Sequence, residues 1–594
     1  MRLKSLKFNK IIGAIALSLS FAACNTLDTA PELAFSEENA FENFQVTQTY
    51  ALGLYTRFEG YDLNRINSDY DADLMMNNSS SQGSNWIWGR IVPPATSSIW
   101  NFSFVRQVNI MLDNLEASNM NEAEKNHWRS VGYFFRAFDY YEKIAAFGDV
   151  PWVDRVLTDQ DELLYAPRTP RAELADHILE DLIFAEANIM EPGTNGIVSN
   201  SVSKDVVNAL ISRFGLFEGT WRKYHNLGGG EKYLRASVEA SEKLLVKHPI
   251  LHQNYDELFN SESLEGVKGI LLYKNYQLGL VTHILTSRHR NSAGNWDITK
   301  RGADSYLMKD GKTRWNSPLF ETDKDAYAEF RNRDQRMLYT IVPPFRVVAS
   351  GTDRLAWDYT EDPKDREYID LFKSLSSAAQ KELPSRNWAG FVLKVSPHYR
   401  DFNEGHPYNV SRTGYNLFKY YSRLHDIQNV DYSDAPIFRM GEVMVNHAEA
   451  KWELGEFDQD VADRTINKLR ERAKVSPMVV SEITPDFDPT RDQTVDPVLW
   501  EIRRERGVEL MAEGFRFDDL RRWKKMSYAS EPKLGRWIKA SDVSNRIPIQ
   551  GGASQGYIQF FSGNPPAFPD YYYLYPLPTE ELALNPNLVQ NPGW

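Results

Sequence analysis

The chain has 594 residues, a formal net charge of −13 and a single cysteine. One cysteine excludes an intrachain disulfide and a cysteine-built zinc site, and the acidic balance without a basic stripe argues against nucleic acid. The length predicts roughly three to four domain-sized masses or one large helical assembly, and 15 Trp and 30 Tyr supply rings for a helical core or a carbohydrate-binding surface.

Arg2, Lys4, Lys7 and Lys10 open the chain with no acidic neighbour, and "IIGAIALSLSFAA" (11 to 23) is apolar or small. A positive start, a short apolar run and small residues before a cut describe a secretory signal peptide over residues 1–23. The run is too short to span a bilayer, and no later stretch reaches about 18 uncharged apolar residues. Cys24 directly follows Ala22 and Ala23, which resembles a bacterial lipobox, with Phe21 where leucine is more usual. In such a lipoprotein the cysteine becomes the first residue and carries the acyl chains, so no thiol remains for redox or catalysis.

A polar tether with Pro31 follows, and Ser36 with the acids after it reads as a helix start. In the stretch 127 to 152, Phe134, Phe138, Tyr141 and Ala145 share one helical face, and Gly148 and Pro151 end the helix. Residues 169 to 189 predict a helix with Thr169 as N-cap, Pro170 at the first position and Leu174, Ile178, Leu182 and Ala185 inward. Residues 203 to 221 and 231 to 249 predict two more. Paired amphipathic helices with short turns read as tetratricopeptide-like hairpins, which hide their apolar faces by stacking. Leu454-Gly455-Glu456-Phe457 with Val461, Ala462, Ile466 and Leu469 resembles the turn and second helix of such a unit. Between about 254 and 435 the helical period weakens and Gly, Pro, Asn and Asp become dense, as they also do around 76 to 98. Long structured loops in a helical protein are where function sits most often.

No strong catalytic motif emerges. There is no HExxH or GxSxG; His248 and His252 have metal spacing, but Pro249 interrupts a helix through them. "DYDAD" (69 to 73) lacks the glycine and glutamate of a calcium loop and reads as a helix start or solvated turn. No metal or cofactor is expected. No carboxyl sits where a raised pKa is predicted, so the two-acid chemistry of a glycosidase has no visible support. In "WEIRRERGVELMAEGFRFDDLRRWKKM" (500 to 526), Arg503, Arg504 and Arg506 stand near Glu501, Glu505, Glu509 and Glu513 at i, i+3 and i+4. That pattern predicts an ion-paired helix locking the C-terminal part onto the core.

The same stretch resembles the signature helix of the SusD/RagB family of nutrient-binding outer-membrane lipoproteins. Further blocks agree in order: "FFRAFDYYEKIAAFGDVPW" (134 to 152), "RNRDQRMLYTI" (331 to 341), "APIFRMGEVMVNHAEAKWELGE" (435 to 456) and the terminal "YPLP" and "NPNLVQNPGW". Gln335 stands where that family more often has proline. The resemblance implies a mainly helical, all-α protein in which four tetratricopeptide-like hairpins form a scaffold under a loop-rich cap. One domain would then span 24–594, with scaffold at about 36–253 and 435–530, cap at about 254–434 and a loop-rich segment at 531–594. It also implies a non-catalytic protein, anchored by lipid at the cell surface of the outer membrane. Such a protein passes oligosaccharides, or in some members peptides, to a SusC-like TonB-dependent transporter.

Sugar capture needs flat rings for C–H faces and polar groups for hydroxyls. In "SNWIWGR" (84 to 90), Trp86 and Trp88 project to the same side if the segment is extended, with Asn85 beside them. "RHRNSAGNWD" (288 to 297) offers Arg288, Arg290, Asn295 and Trp296 in a loop, and Trp315 follows. The excess of Arg and Lys from 288 to 314 tolerates an acidic sugar. The competing expectations are a surface glycoside hydrolase with an unseen acid pair and a peptide-capturing lid of the transporter.

Overall fold

The computed structural model of the protein describes residues 41–77, 83–290, 296–350, 355–375, 381–387, 391–399, 410–425, 427–543, 547–561 and 563–594. Cys24, the helix start expected at Ser36 and Asn295 lie outside the described residues.

The scaffold is helical. Its helices are α1 Phe44–Leu54, α2 Ser103–Asn114, α3 Glu122–Phe147, α4 Arg171–Asn188, α5 Lys204–Tyr224, α6 Glu231–Lys247, α7 Met440–Glu453, α8 Ile466–Arg472, α9 Pro497–Glu509 and α10 Arg516–Arg522. The strands are short: β1 Met75–Asn77, β2 Ile270–Lys274, β3 Trp296–Ile298, β4 Phe345–Ala349, β5 Trp357–Tyr359, β6 Val395–Ser396, β7 Ala435–Arg439, β8 Leu534–Lys539 and β9 Gln555–Gln559. They form antiparallel pairs β1–β3, β2–β7 and β8–β9 and a three-stranded sheet with β4 between β5 and β6.

Local chemistry explains the helix ends. The Asn121 side chain accepts from Glu124 N, and the Glu124 carboxylate accepts from Asn121 N, so two orphan donors are satisfied where α3 begins. α3 ends at Gly148, whose φ of 75° favours glycine. A Cβ there would lie 3.1 Å from Leu574. α4 departs from its expected cap by one residue. It begins at Arg171, Thr169 Oγ1 accepts from Trp152 N at 3.0 Å, and Asp149 accepts from Arg171 N at 2.7 Å. A tertiary neighbour thus caps the helix that Thr169 was expected to cap.

α3 packs along α4 and α5 along α6, while α7 lies against α5, α6 and α9. The inward residues expected of α4, Leu174, Ile178, Leu182 and Ala185, are all fully buried. α3 is buried nearly all round, more than its one apolar face predicts. Its polar side chains tolerate this because they are paired: Arg136 with Asp181 at 2.7 Å, and Asp139 with Lys143 at 2.6 Å and Arg57 at 2.9 Å. The cap is less loop-like than expected. Tyr306, Phe330, Phe345, Ile369, Tyr415 and Phe418 share a hydrophobic cluster with Leu74 and Val508, so it carries a core of its own.

α9 fulfils the expectation of an ion-paired helix, but with other partners. Glu501, Glu505 and Glu509, one per turn, are fully buried. Within the helix, Glu501 and Glu505 bind Arg504, at 2.7 and 3.3 Å. The other partners come from far along the chain. Arg336 reaches Glu505 at 2.6 Å and Glu509 at 2.9 Å, Arg472 reaches Glu509 at 2.5 Å, Arg470 bonds Glu501, and Arg439 bonds Glu513 at 2.6 Å. The helix lies inside the molecule, so its acidic row faces other elements. Burial pulls the Glu505 carboxyl up, but Arg336, Arg470 and Arg504 hold it down at about 2.

The "DYDAD" turn is likewise buried, which overturns its reading as a solvated turn. Asp69 accepts from Gly514 N and Arg516 N, both at 3.0 Å, and Asp73 accepts from Arg516 at 2.8 and 3.0 Å. This ties the early loop onto the start of α10.

Candidate glycan-binding clefts

Three cavities surround this buried turn. The largest, about 750 Å³, is lined among others by Tyr61, Arg65, Tyr420 and Phe515. A second, about 320 Å³, is lined by Tyr70, Trp88 and Phe561. A third, about 410 Å³, is lined by Trp315, Trp500, Trp523 and Tyr528. Glu531, Pro532 and Lys533, leading into β8, line both the second and the third. One short segment therefore stands as a ridge between two aromatic clefts.

Lys533 is held in the ridge by its ammonium, which donates to the carbonyls of Tyr70 and Met75, both at 2.7 Å. Burial lowers its amine to about 8, against the attraction of Asp71 and Asp73. On the third cleft, Trp315 is 39% exposed, and the Arg314 guanidinium lies 4.7 Å from its ring centroid. Trp500 donates its Nε1–H to Asp488 at 2.8 Å, with its ring 6.0 Å from that of Tyr528. Trp523 is buried and forms the back wall, its indole N–H donating to Glu449 at 2.5 Å. On the second cleft, the Ser84 hydroxyl donates to Asp71, whose carboxyl burial pushes up to about 6.

The residues expected to bind are placed unequally. Residues 85–89 form a turn, not an extended strand, with Trp88 N donating to Ser84 O at 3.0 Å and Arg90 N to Asn85 O at 2.9 Å. The two indoles therefore part company. Trp88 lines a cleft, while Trp86 packs among Phe517, Tyr572 and Tyr575, the last at 4.6 Å. Asn85 is exposed at the surface of the turn and does not line the cleft. Arg288 is a half-buried member of a short helix, Leu285–His289, not of a loop. Arg290 is buried with its guanidinium 5.1 Å from the Tyr421 ring centroid. Trp296 is buried in β3 and donates its indole N–H to Asn67 at 2.9 Å. Trp296 is thus a structural ring, not a stacking platform. Trp88 and Trp315 alone of the expected residues line the two clefts among the described residues.

Tyr70, Trp500, Tyr528, Lys533 and Phe561 escaped the sequence reading. They are dispersed over the chain and meet only in the fold. Trp500 carried the one available signal, an aromatic at the mouth of a charged run, and that run reads as structural.

The expectation that no carboxyl has a raised pKa is corrected. Burial pushes Asp69 and Asp431 up to about 7. Glu59 also rises to about 7, through burial and the neighbouring Asp62. In the clefts, Asp71 is engaged by Ser84, and Asp304, raised by burial, is bound by Lys300 and by Arg314 at 3.0 Å. No group of three or more metal-ligating side chains occurs among the described residues. No helix among them is long and apolar enough to cross a membrane.

The family model described as the SusD family matches residues 274–594. The chain belongs to the SusD family. A second model, described as starch-binding associating with outer membrane, matches residues 27–216. Among relatives, SusD-like protein P2 of Formosa agariphila is 30% identical over 502 residues, covering 84% of this chain and 80% of that one. Starch-binding protein SusD of Bacteroides thetaiotaomicron is 24% identical over 535 residues, covering 86% and 83%. A SusD-like carbohydrate binding protein from Bacteroides fragilis superposes with a TM-score of 0.66 at 19% identity, covering 92% of this chain and 99% of that one. The likeness in fold thus extends over 92% of this chain.

Proposed function

We propose that this SusD-family protein captures oligosaccharides, without cutting them, in the two clefts that flank Glu531–Lys533. It hands them to a SusC-like TonB-dependent transporter, and a lipid on Cys24 holds it at the outer surface of the outer membrane. The observation that carries the reading is the exposed Trp315 beside Trp500 and Tyr528, facing the same ridge as Trp88. Such rings cover the apolar faces of sugars, and the rim of Asp, Thr, Arg and Lys side chains supplies hydroxyl partners. The names of the relatives support the ligand class: one is called a starch-binding protein and another a carbohydrate binding protein. The carboxylates lining the third cleft sit in ion pairs or hydrogen bonds, which suits binding better than proton transfer.

The test is incubation of the purified protein with a glycan panel. Retention without release of new reducing ends is expected, and release would instead establish a glycoside hydrolase. Trp88→Ala and Trp315→Ala should each weaken retention about fivefold or more, taking base stacking on an aromatic, about 1–3 kcal/mol per ring, as the guide. Full retention by both variants would remove the clefts from the account.

A further inference from the structure

The three cavities differ in charge. The largest is lined by eight carboxylates and five cationic side chains. The Trp315 cleft reverses the balance, with Lys300, Arg301, Arg503, Arg504, Arg516 and Lys533 against Asp73, Asp304, Asp488 and Glu531. A cationic cleft in a chain of net charge −13 is a local exception.

The pairing behind the wall covers most of the lining charge but not every donor. Asp73 is shared by Arg516 at 2.8 Å and Arg301 at 3.6 Å. Asp304 is shared by Lys300 and Arg314. Deeper in, Glu501 serves Arg470 and Arg504, Glu449 serves Arg522 and Arg503, and Glu453 serves Lys223 and Arg503. The cations are shared in turn, Lys300 also reaching Asp323 and Glu329, Arg301 reaching Glu531 and Arg504 reaching Glu505, so pairing covers most of the lining charge and what it leaves toward the cleft is particular donors. Two donors make this concrete. Arg503 is 5% exposed, and its Nε–H has no hydrogen-bond acceptor among the described residues, the nearest carboxylate oxygen of Glu449 lying 3.7 Å away. Lys533 is bound to two carbonyls and, among the described residues, to no carboxylate within ion-pair distance. The field is felt by Asp73: burial pulls its carboxyl up, but Arg516 and Arg301 hold it at about 2.

We propose that the Trp315 cleft selects an anionic glycan, one that carries a carboxylate or a sulfate ester next to the sugar ring stacked on Trp315. The inference rests on the reading of the clefts as a glycan site and adds the ligand's charge to it. Charge-assisted hydrogen bonds from Arg301, Arg503 and Lys533 would meet the anion, and the low-dielectric wall concentrates their field.

The experiment uses matched pairs of oligosaccharides, titrated calorimetrically into the full-length mature protein. One set compares uronate oligomers with their methyl esters, the other compares sulfated oligomers with their desulfated forms. The anionic member of at least one pair should bind tenfold or more tighter than its neutral partner in 50 mM salt, and the gap should close toward 500 mM. The set in which the gap appears names the anion. Arg301→Gln and Lys533→Met should lower affinity for the anionic member at least threefold more than for its neutral partner. Neutral members binding as tightly as anionic ones, or both members weakening together in the two variants, overturns the selection for charge while leaving glycan capture standing. Binding of no member, charged or neutral, overturns glycan capture itself.

Discussion

The buried surround of α9 and the clefts beside Lys533 are built from the same residue types, arginine, carboxylate and large aromatic, and do opposite things with them. Around α9, Glu505 and Glu509 are each met by two or more guanidinium groups and sealed from water. The cost of burying charge is met there by mutual pairing, and the outcome is a joint between α9 and segments far along the chain. In the clefts the rings are left partly uncovered, and a lysine spends its donors on carbonyls. Saturated polar groups make structure; unsaturated ones, with an open ring beside them, make a site.

The largest expected effect breaks the joint. Glu509→Gln removes the carboxylate shared by Arg336, Arg439 and Arg472. Arg336 keeps Asp334 and Glu505 and Arg439 keeps Glu513, but Arg472 has no other ion-pair partner among the described residues and is left with an uncompensated buried charge. The change should cost about 3–5 kcal/mol, read by urea denaturation. A loss under about 1 kcal/mol would show that the network is redundant. Trp315→Ala should do the reverse, lowering glycan affinity about fivefold or more while stability changes by no more than about 1 kcal/mol. If Trp296→Ala, in the buried strand, lowers the melting temperature without changing the affinity of the folded protein, the contrast sharpens.

The two kinds of buried carboxyl also separate by pH. Glu449 and Glu505 are held at about 2 when folded, below the ordinary unfolded value of about 4.3. Their stabilisation is full above about pH 4.3 and is lost as pH falls toward 2, so stability should drop in that window. Asp69, raised by burial to about 7, has the opposite sign: the folded state favours its proton, and its contribution is lost as pH rises from about 4 through 7. Asp431 and Glu59 share that window, so Asp69→Asn should reduce the upper slope without abolishing it and leave the lower one, checked by melting temperature against pH. The smallest effect is expected at Asn85. It is exposed on its turn, so Asn85→Ala should alter stability by less than about 0.5 kcal/mol and affinity by less than twofold.

The scaffold was legible because helical period, caps and stops are local. Leu174, Ile178, Leu182 and Ala185 point inward as their spacing requires, and Gly148 ends α3 where its φ demands glycine. The clefts were legible only in Trp88 and Trp315. Trp86 and Trp88 were read with the alternation of a strand, but residues 85–89 form a turn and separate them. Trp296 was read in a loop, yet it stands in a strand that β1 pairs with and encloses.

By itself the sequence determined the helices, the ordered blocks of the SusD family and the expectation of a lipidated first residue, because each is written in neighbours a few positions apart. The tertiary structure alone decided which arginine neutralises which glutamate and which indole stays open to a ligand. Those outcomes depend on what water can still reach after distant segments have packed.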